Sequence, residues 1–142
     1  MDYRAQFEGG LAALNPTSSI REYRKGLLLI ENLASGSSHA GKNGEREVTA
    51  DAMAVLSQVY IFGSHGKGIV TSQQPSKSFM YANQSSHLGS ARGHSMLAFH
   101  LRYGLGVSRD TEAAIRLDRL AAKQNYLPSM LSLAYHVYEG QE

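Results

Sequence analysis

The residues of this chain best suited to chemistry are its histidines and one glycine-rich loop. His65, His87, His94, His100 and His136 invite a metal reading, because neutral imidazole is a common zinc ligand. The spacing argues for packing instead. His100 and His136 stand 36 residues apart at the same point of an internal repeat, which puts them on neighbouring helices rather than at i, i+4 on one. The segment Gly63-Ser-His-Gly-Lys-Gly68 has the glycines and lysine of a phosphate loop. That loop needs G-x4-G-K-[ST] after a strand, whereas Ile69 and Val70 follow here in a helical context. G-x-S-x-G and H-E-x-x-H do not occur, and neither does an EF-hand pattern. Asp51, Asp110, Glu112 and Asp118 fall along helix ends and solvent faces, where Asp110 and Glu112 suit a first helical turn. Cysteine is absent, which removes disulfides, thiolate sites and cysteine nucleophiles together. Asn83-Gln84-Ser85 is a glycosylation sequon, but chance alone yields about one in a chain this rich in Ser and Thr. The expectation is therefore no catalytic residue, no metal and no cofactor. A small metal-dependent hydrolase is the alternative from another class.

The positions that place these residues repeat. Gly93, Leu97, Ala98, Leu101 and Gly104 recur 36 residues later as Ser129, Leu133, Ala134, Val137 and Gly140. An upstream copy, displaced by 41 residues, reads Ala52, Leu56, Ser57, Tyr60 and Gly63. Self-similarity at this period marks units that bury their apolar faces only against their neighbours. Apolar spacing is helical almost throughout. It predicts helices over 2–14, 19–34, 49–62, 75–89, 91–103, 110–124 and 127–139, with polar loops at 35–48 and 63–74. Ser19 and Glu22 have capping-box spacing. Thr49 and Asp110 are candidate N-caps, and Asn125 is a candidate left-handed stop. Small residues beside large apolar ones (Ser57, Ala98, Ala134; Ser85 and Ser86; Ala121 and Ala122) mark points where helices approach closely.

Bulk properties exclude several classes. A net charge of +2 with both signs interspersed implies no nucleic-acid field. The longest apolar run, Leu27 to Ile30, is far short of a membrane span, so no direct membrane insertion is expected. The first residues carry acidic groups and no apolar core, unlike a secretory signal.

The run Gly93-x3-Leu97-Ala98-x2-Leu101-x2-Gly104-Leu105-Gly106-Val107-x2-Asp110-x2-Ala113-Ala114, followed by Ala121-Ala122, resembles the SEL-type repeat (SLR) family. These are α/α solenoids related to tetratricopeptide repeats. The resemblance implies an all-α, right-handed solenoid of about three helix pairs plus a terminal unpaired helix, forming one domain over 1–142. Residues 17–34 would be a divergent partial repeat, 52–89 and 93–125 repeats, and 129–142 a second partial repeat. More narrowly, Val70 to Val107 is similar to early repeats of the luminal adaptors of endoplasmic-reticulum-associated degradation ubiquitin ligases. That likeness implies a non-catalytic adaptor in protein quality control, lumenal if the chain belongs to a longer signal-bearing protein. The alternative is a cytosolic or organellar scaffold for assembling a complex.

In such solenoids successive first helices line a concave groove. The stripes Ala54, Gln58, Ile61; Ser95, Phe99, Arg102; and Leu131, Tyr135, Tyr138 lie opposite the core positions Leu56/Tyr60, Leu97/Leu101 and Leu133/Val137. The candidate partner-binding residues are thus Gln58, Ile61, Phe62, Ser95, Phe99, Arg102, Tyr103, Leu131, Tyr135 and Tyr138. The expected partner is a protein or extended peptide. Self-association through residues 127–139 is also expected, because the last apolar face lacks a following helix.

Overall fold

A computed structural model describes residues 2–36, 43–65, 67–69 and 74–140. These form α1 (Tyr3–Ala13), α2 (Ile20–Ser35), α3 (Asn43–Phe62), α4 (Pro75–His87), α5 (Ala91–Tyr103), α6 (Thr111–Lys123) and α7 (Leu127–Tyr138). The described residues contain no strand, so the fold is all-α.

Helix starts follow local chemistry. Ser19 accepts the Glu22 amide at 3.2 Å while the Glu22 carboxylate accepts the Ser19 amide at 2.8 Å, closing a capping box before α2. Asp110 caps α6 by accepting the Ala113 amide at 3.0 Å, and Pro75 opens α4. Asn125 takes a left-handed φ of 60° between α6 and α7. One expected boundary moves. Helix α3 begins at Asn43, so Thr49 is a buried interior residue and not a cap. The intervening Glu45, Arg46 and Glu47 are good helix formers, and Val48 is buried in the core, which draws the helix upstream. Residues 37–42 of the expected 35–48 loop lie outside the described residues.

Each helix packs on the next in sequence, and α3 also packs on both α1 and α5. One core joins α1, α2 and α3 through Phe7, Tyr23, Leu27, Ile30, Val55, Leu56 and Val59. A second joins α3 to α6 through Ile61, Ala82, Met96 and Leu97, with Phe79, Phe99, Leu101 and Leu117 against it. Helix α7 lies past both, and only its Ser129 and His136 are buried.

Two glycines set how closely helices approach. A Cβ on Gly26 would stand 2.6 Å from the Ala13 Cβ and 2.8 Å from the Gly10 carbonyl oxygen, so α1 and α2 touch backbone to backbone. In the G-L-G-V turn after α5, Gly106 has φ 73° and an added Cβ would lie 2.5 Å from the Pro75 carbonyl oxygen. The repeat's glycine motif therefore marks a turn pressed against the start of α4.

Gly9, on the same helix as Gly10, has nothing within 4 Å of an added Cβ. Gly9→Ala should stabilise the fold by about 0.5–1 kcal/mol, whereas Gly26→Ala should cost about 1–3 kcal/mol through overpacking. Urea midpoints that move in the same direction for both would refute the α1–α2 contact.

Candidate protein-binding surface

Hydroxyl groups hold the helices that carry this surface. The Ser57 hydroxyl donates to the Ser78 carbonyl at 2.8 Å, tying α3 to α4, and the single Ser78 hydroxyl hydrogen faces two acceptors, one of them the Ser57 carbonyl at 2.6 Å. Ser85 on α4 donates to the Ala50 carbonyl of α3 at 2.5 Å. His100 joins this cluster from α5. Its Nδ1 stands 2.7 Å from the Leu105 carbonyl, which only accepts, so Nδ1 carries the hydrogen. Burial pushes the His100 pKa down, against the opposing Leu105 bond. The ring is therefore neutral and its Nε2 is the second acceptor facing the Ser78 hydroxyl, 2.8 Å away, sharing that hydrogen with the Ser57 carbonyl. His94 is likewise held at 2.7 Å by the Ser86 hydroxyl, and burial lowers its pKa too.

The second anchor is Asp118 on α6, 1% exposed. Its carboxylate accepts from Arg102 Nη2 of α5 at 2.5 Å, from the Ser129 hydroxyl at 2.9 Å and from the Ser132 hydroxyl at 3.0 Å. One buried charge thus fastens α5, α6 and α7 together. The sequence reading put Asp118 on a solvent face. Its position between Ala114 and Ala121, four residues after one and three before the other, sets it on the apolar stripe of α6, and that was the available signal.

Above these anchors runs an aromatic face. The Phe62 and Phe99 rings meet at 5.5 Å, and Phe99 and Tyr103 meet edge to face at 5.0 Å. Phe62, Tyr103, Leu131, Tyr135 and Tyr138 are all exposed, Tyr103 at 61% and Tyr135 at 59%. Gln58, Ser95 and Phe99 are half-buried beside them. Two expected members, Ile61 and Arg102, are taken up by contacts to the interior. Ile61 is buried against the second core, because the outer line of α3 runs from Gln58 to Phe62 and the turn of helix between them points Ile61 inward. Ala54, one turn before Gln58, is fully buried. Arg102 is held by Asp118, with its side chain only 13% exposed.

Further apolar residues extend the exposed area: Leu120 of α6 and Leu127, Met130 and Val137 of α7. Val137 is 63% exposed, although its repeat counterpart Leu101 packs on the second core. At the opposite helix ends, Arg4, Glu47, Asp51 and Arg92 line a cleft of about 450 Å³ whose charges balance. The described residues contain no group of three His, Asp or Glu side chains placed to hold a metal ion. None of the helices is long and apolar enough to cross a membrane. No protein-family model matches the sequence, and a search of curated proteins gives no match.

Two outcomes follow from the anchors. Asp118→Ala strips the acceptor from a largely buried Arg102 and should cost about 3–5 kcal/mol by denaturant unfolding; a loss under about 1 kcal/mol would mean that α7 is held otherwise. The histidines set a pH dependence. Their folded pKa values lie below the ordinary 6.5, so the unfolded chain binds more protons on acidification. Their contribution is full above pH 6.5 and declines as pH falls through the window just below it. The urea midpoint should drop between pH 7.5 and 5.5, and His94→Asn should flatten part of that drop. An unchanged midpoint would show that the histidines are not buried neutral.

Proposed function

We propose that this chain is an α/α solenoid of the SEL-type repeat kind, acting as a non-catalytic scaffold that binds an extended segment of another protein across α3, α5 and α7. The observation that carries the reading is the aromatic face of Phe62, Phe99, Tyr103, Tyr135 and Tyr138. Exposed aromatic rings on a polar-anchored frame are the groups that dominate binding hot spots. The 36-residue repeat supports the solenoid part of this reading, as does the packing of α3 on both α1 and α5. The serine-held backbone supports a rigid presentation of the rings, which lowers the ordering cost of binding. Within this reading, an adaptor in protein quality control is the leading role, and a complex-assembly scaffold is its rival.

A second reading rests on α7. Leu127, Met130, Leu131 and Val137 form an exposed apolar line on a helix that buries little else, which favours association with a second copy through residues 127–139. Light scattering at micromolar concentration separates the readings. A dimer abolished by Leu131→Glu with Val137→Lys supports self-association, and a monomer removes it.

The partner reading is tested by crosslinking and capture from the native cell. Tyr103→Ala and Tyr135→Ala should each reduce capture at least about tenfold, the size of a hot-spot loss. Their thermal midpoints should stay within about 2 °C of wild type, as exposed rings allow. Capture that survives both changes would move the binding site off this face.

A further inference from the structure

Between the C-terminal ends of α5 and α7 lies a cavity of about 320 Å³, lined by Arg102, Tyr103, Arg109, Thr111, Tyr135 and His136. It falls inside the aromatic face, with Tyr103 on one wall and Tyr135 on the other. Its size reaches the lower end of the range typical of ligand pockets, about 300–1,000 Å³. No carboxylate lines it, while two arginines do.

The hydrogen bonds of Arg102 are uneven. Asp118 already accepts three bonds, from Arg102, Ser129 and Ser132. Arg102, with five N–H donors, gives one bond to Asp118, and its buried Nε has no acceptor. The carboxylate thus uses most of its acceptor sites, while the guanidinium leaves most of its donors unused. Arg109 is exposed and enters neither ion pair of the described residues, Arg4–Asp51 or Arg102–Asp118. Asp118 offsets the charge of Arg102, so Arg109 leaves one uncompensated positive charge on the lining. A group that would complete this site is a single anionic acceptor small enough to pass between two tyrosine rings. A carboxylate meets that description and can take two parallel bonds from a guanidinium.

We propose that this cavity is the subsite for an acidic side chain, Asp or Glu, within the segment bound along the aromatic face. The assignment rests on that face being the binding surface. The cavity lies between α5 and α7, with the Phe62–Phe99 pair leading up to Tyr103 on the α5 side and Tyr135 of α7 on the other, so a segment bound across both helices passes it in both directions. That geometry selects an internal side chain over a chain-terminal carboxylate. Tyr103 and Tyr135 would flank the carboxylate stem and accept apolar neighbours on either side of it.

Three probes test this with the intact chain, followed by NMR of its tyrosine rings. They are acetyl-Leu-Glu-Phe-amide, its Gln counterpart, and acetyl-Leu-Phe with a free C-terminal carboxylate. The Glu peptide should shift the Tyr103 and Tyr135 signals saturably, roughly tenfold more tightly than the Gln peptide, as a charge-assisted bond allows. The preference should shrink as salt is raised, because Arg109 is exposed. Arg109→Gln should abolish the preference and leave the thermal midpoint and the Gln-peptide affinity unchanged; Arg109→Lys should retain part of it. Equal binding of the Glu and Gln peptides would overturn the subsite, as would an Arg109→Gln variant that keeps the preference. Tighter binding of the free-acid peptide would overturn the internal side-chain assignment. Failure of the groove reading is seen separately, as capture of the natural partner that survives loss of Tyr103 and Tyr135.

Discussion

The close approach of α3, α4 and α5 is the constraint on which the rest of the molecule depends. Helices separated by large side chains cannot exchange hydroxyl-to-carbonyl bonds across their interface. Here Ser57 and Ser78 each reach the other's backbone, and Ser85 reaches Ala50. The same approach leaves no room at Gly93, where an added Cβ would stand 2.7 Å from the Ser85 carbonyl carbon. His100 can then set its two ring nitrogens against Ser78 and Leu105. A bulkier residue at any of these points would part the helices and leave a buried imidazole unpaired, and such a group is costly. The spacing also sets Phe62 of α3 against Phe99 of α5, so the rings on the surface inherit their register from serines in the interior.

Helix α7 is attached by a different principle. The first core is a broad apolar mass around Tyr23 and Ile30, and the second is smaller. Beyond them, α7 contributes Ser129 and Ser132 to a buried carboxylate and leaves most of its apolar side chains outside. A buried charge with three donors fixes geometry well but adds little net stability compared with apolar burial. So α7 is held in one orientation by Asp118 without being sealed. That separates the helices of the aromatic face into a firmly packed half, α3 and α5, and a lightly anchored half, α7.

Much of this was legible in the sequence because it follows local rules. The capping box at Ser19, the cap at Asp110, the proline at the start of α4 and the left-handed Asn125 depend on a few adjacent residues. The pairing of small residues with close contacts was readable for Ser57, Ser85, Ala98 and Ala121, which are fully buried, but not for Ala134, which is exposed on α7 because no helix packs on that side of it. What escaped depended on partners remote in sequence. Thr49 had the character of a cap, yet Val48 had an apolar site to fill and the helix extended past it. Ile61 and Phe62 differ by one residue, and only the position of α5 decides which of them faces out. Arg102 read as a binding residue because its type favours interfaces, and nothing nearby in the chain announced Asp118, sixteen residues on. The exposed Arg109, outside both ion pairs of the described residues, was visible only once the α5–α6 turn was folded.

The distribution of exposed rings follows from these two modes of attachment. Phe99 can lie half-buried because the second core supports it from below, with Tyr103 and Phe62 both against its ring. Tyr135 and Tyr138 have no comparable support, since α7 has little apolar mass beneath it. A ligand lying across the whole face would therefore meet a preformed surface on α5 and a lightly anchored one on α7. Its contacts with α5 would set the encounter, and its contacts with α7 would add apolar burial that the isolated chain lacks. A ligand at a hundred times its dissociation constant contributes about 2.7 kcal/mol to the state that binds it. That approaches the roughly 3–5 kcal/mol lost when a buried pair such as Arg102–Asp118 is broken. Binding would on this account hold α7 more firmly in the orientation that Asp118 sets. Arg102, bonded to Asp118 and with a buried Nε that lacks an acceptor, stands where the two halves of the face meet.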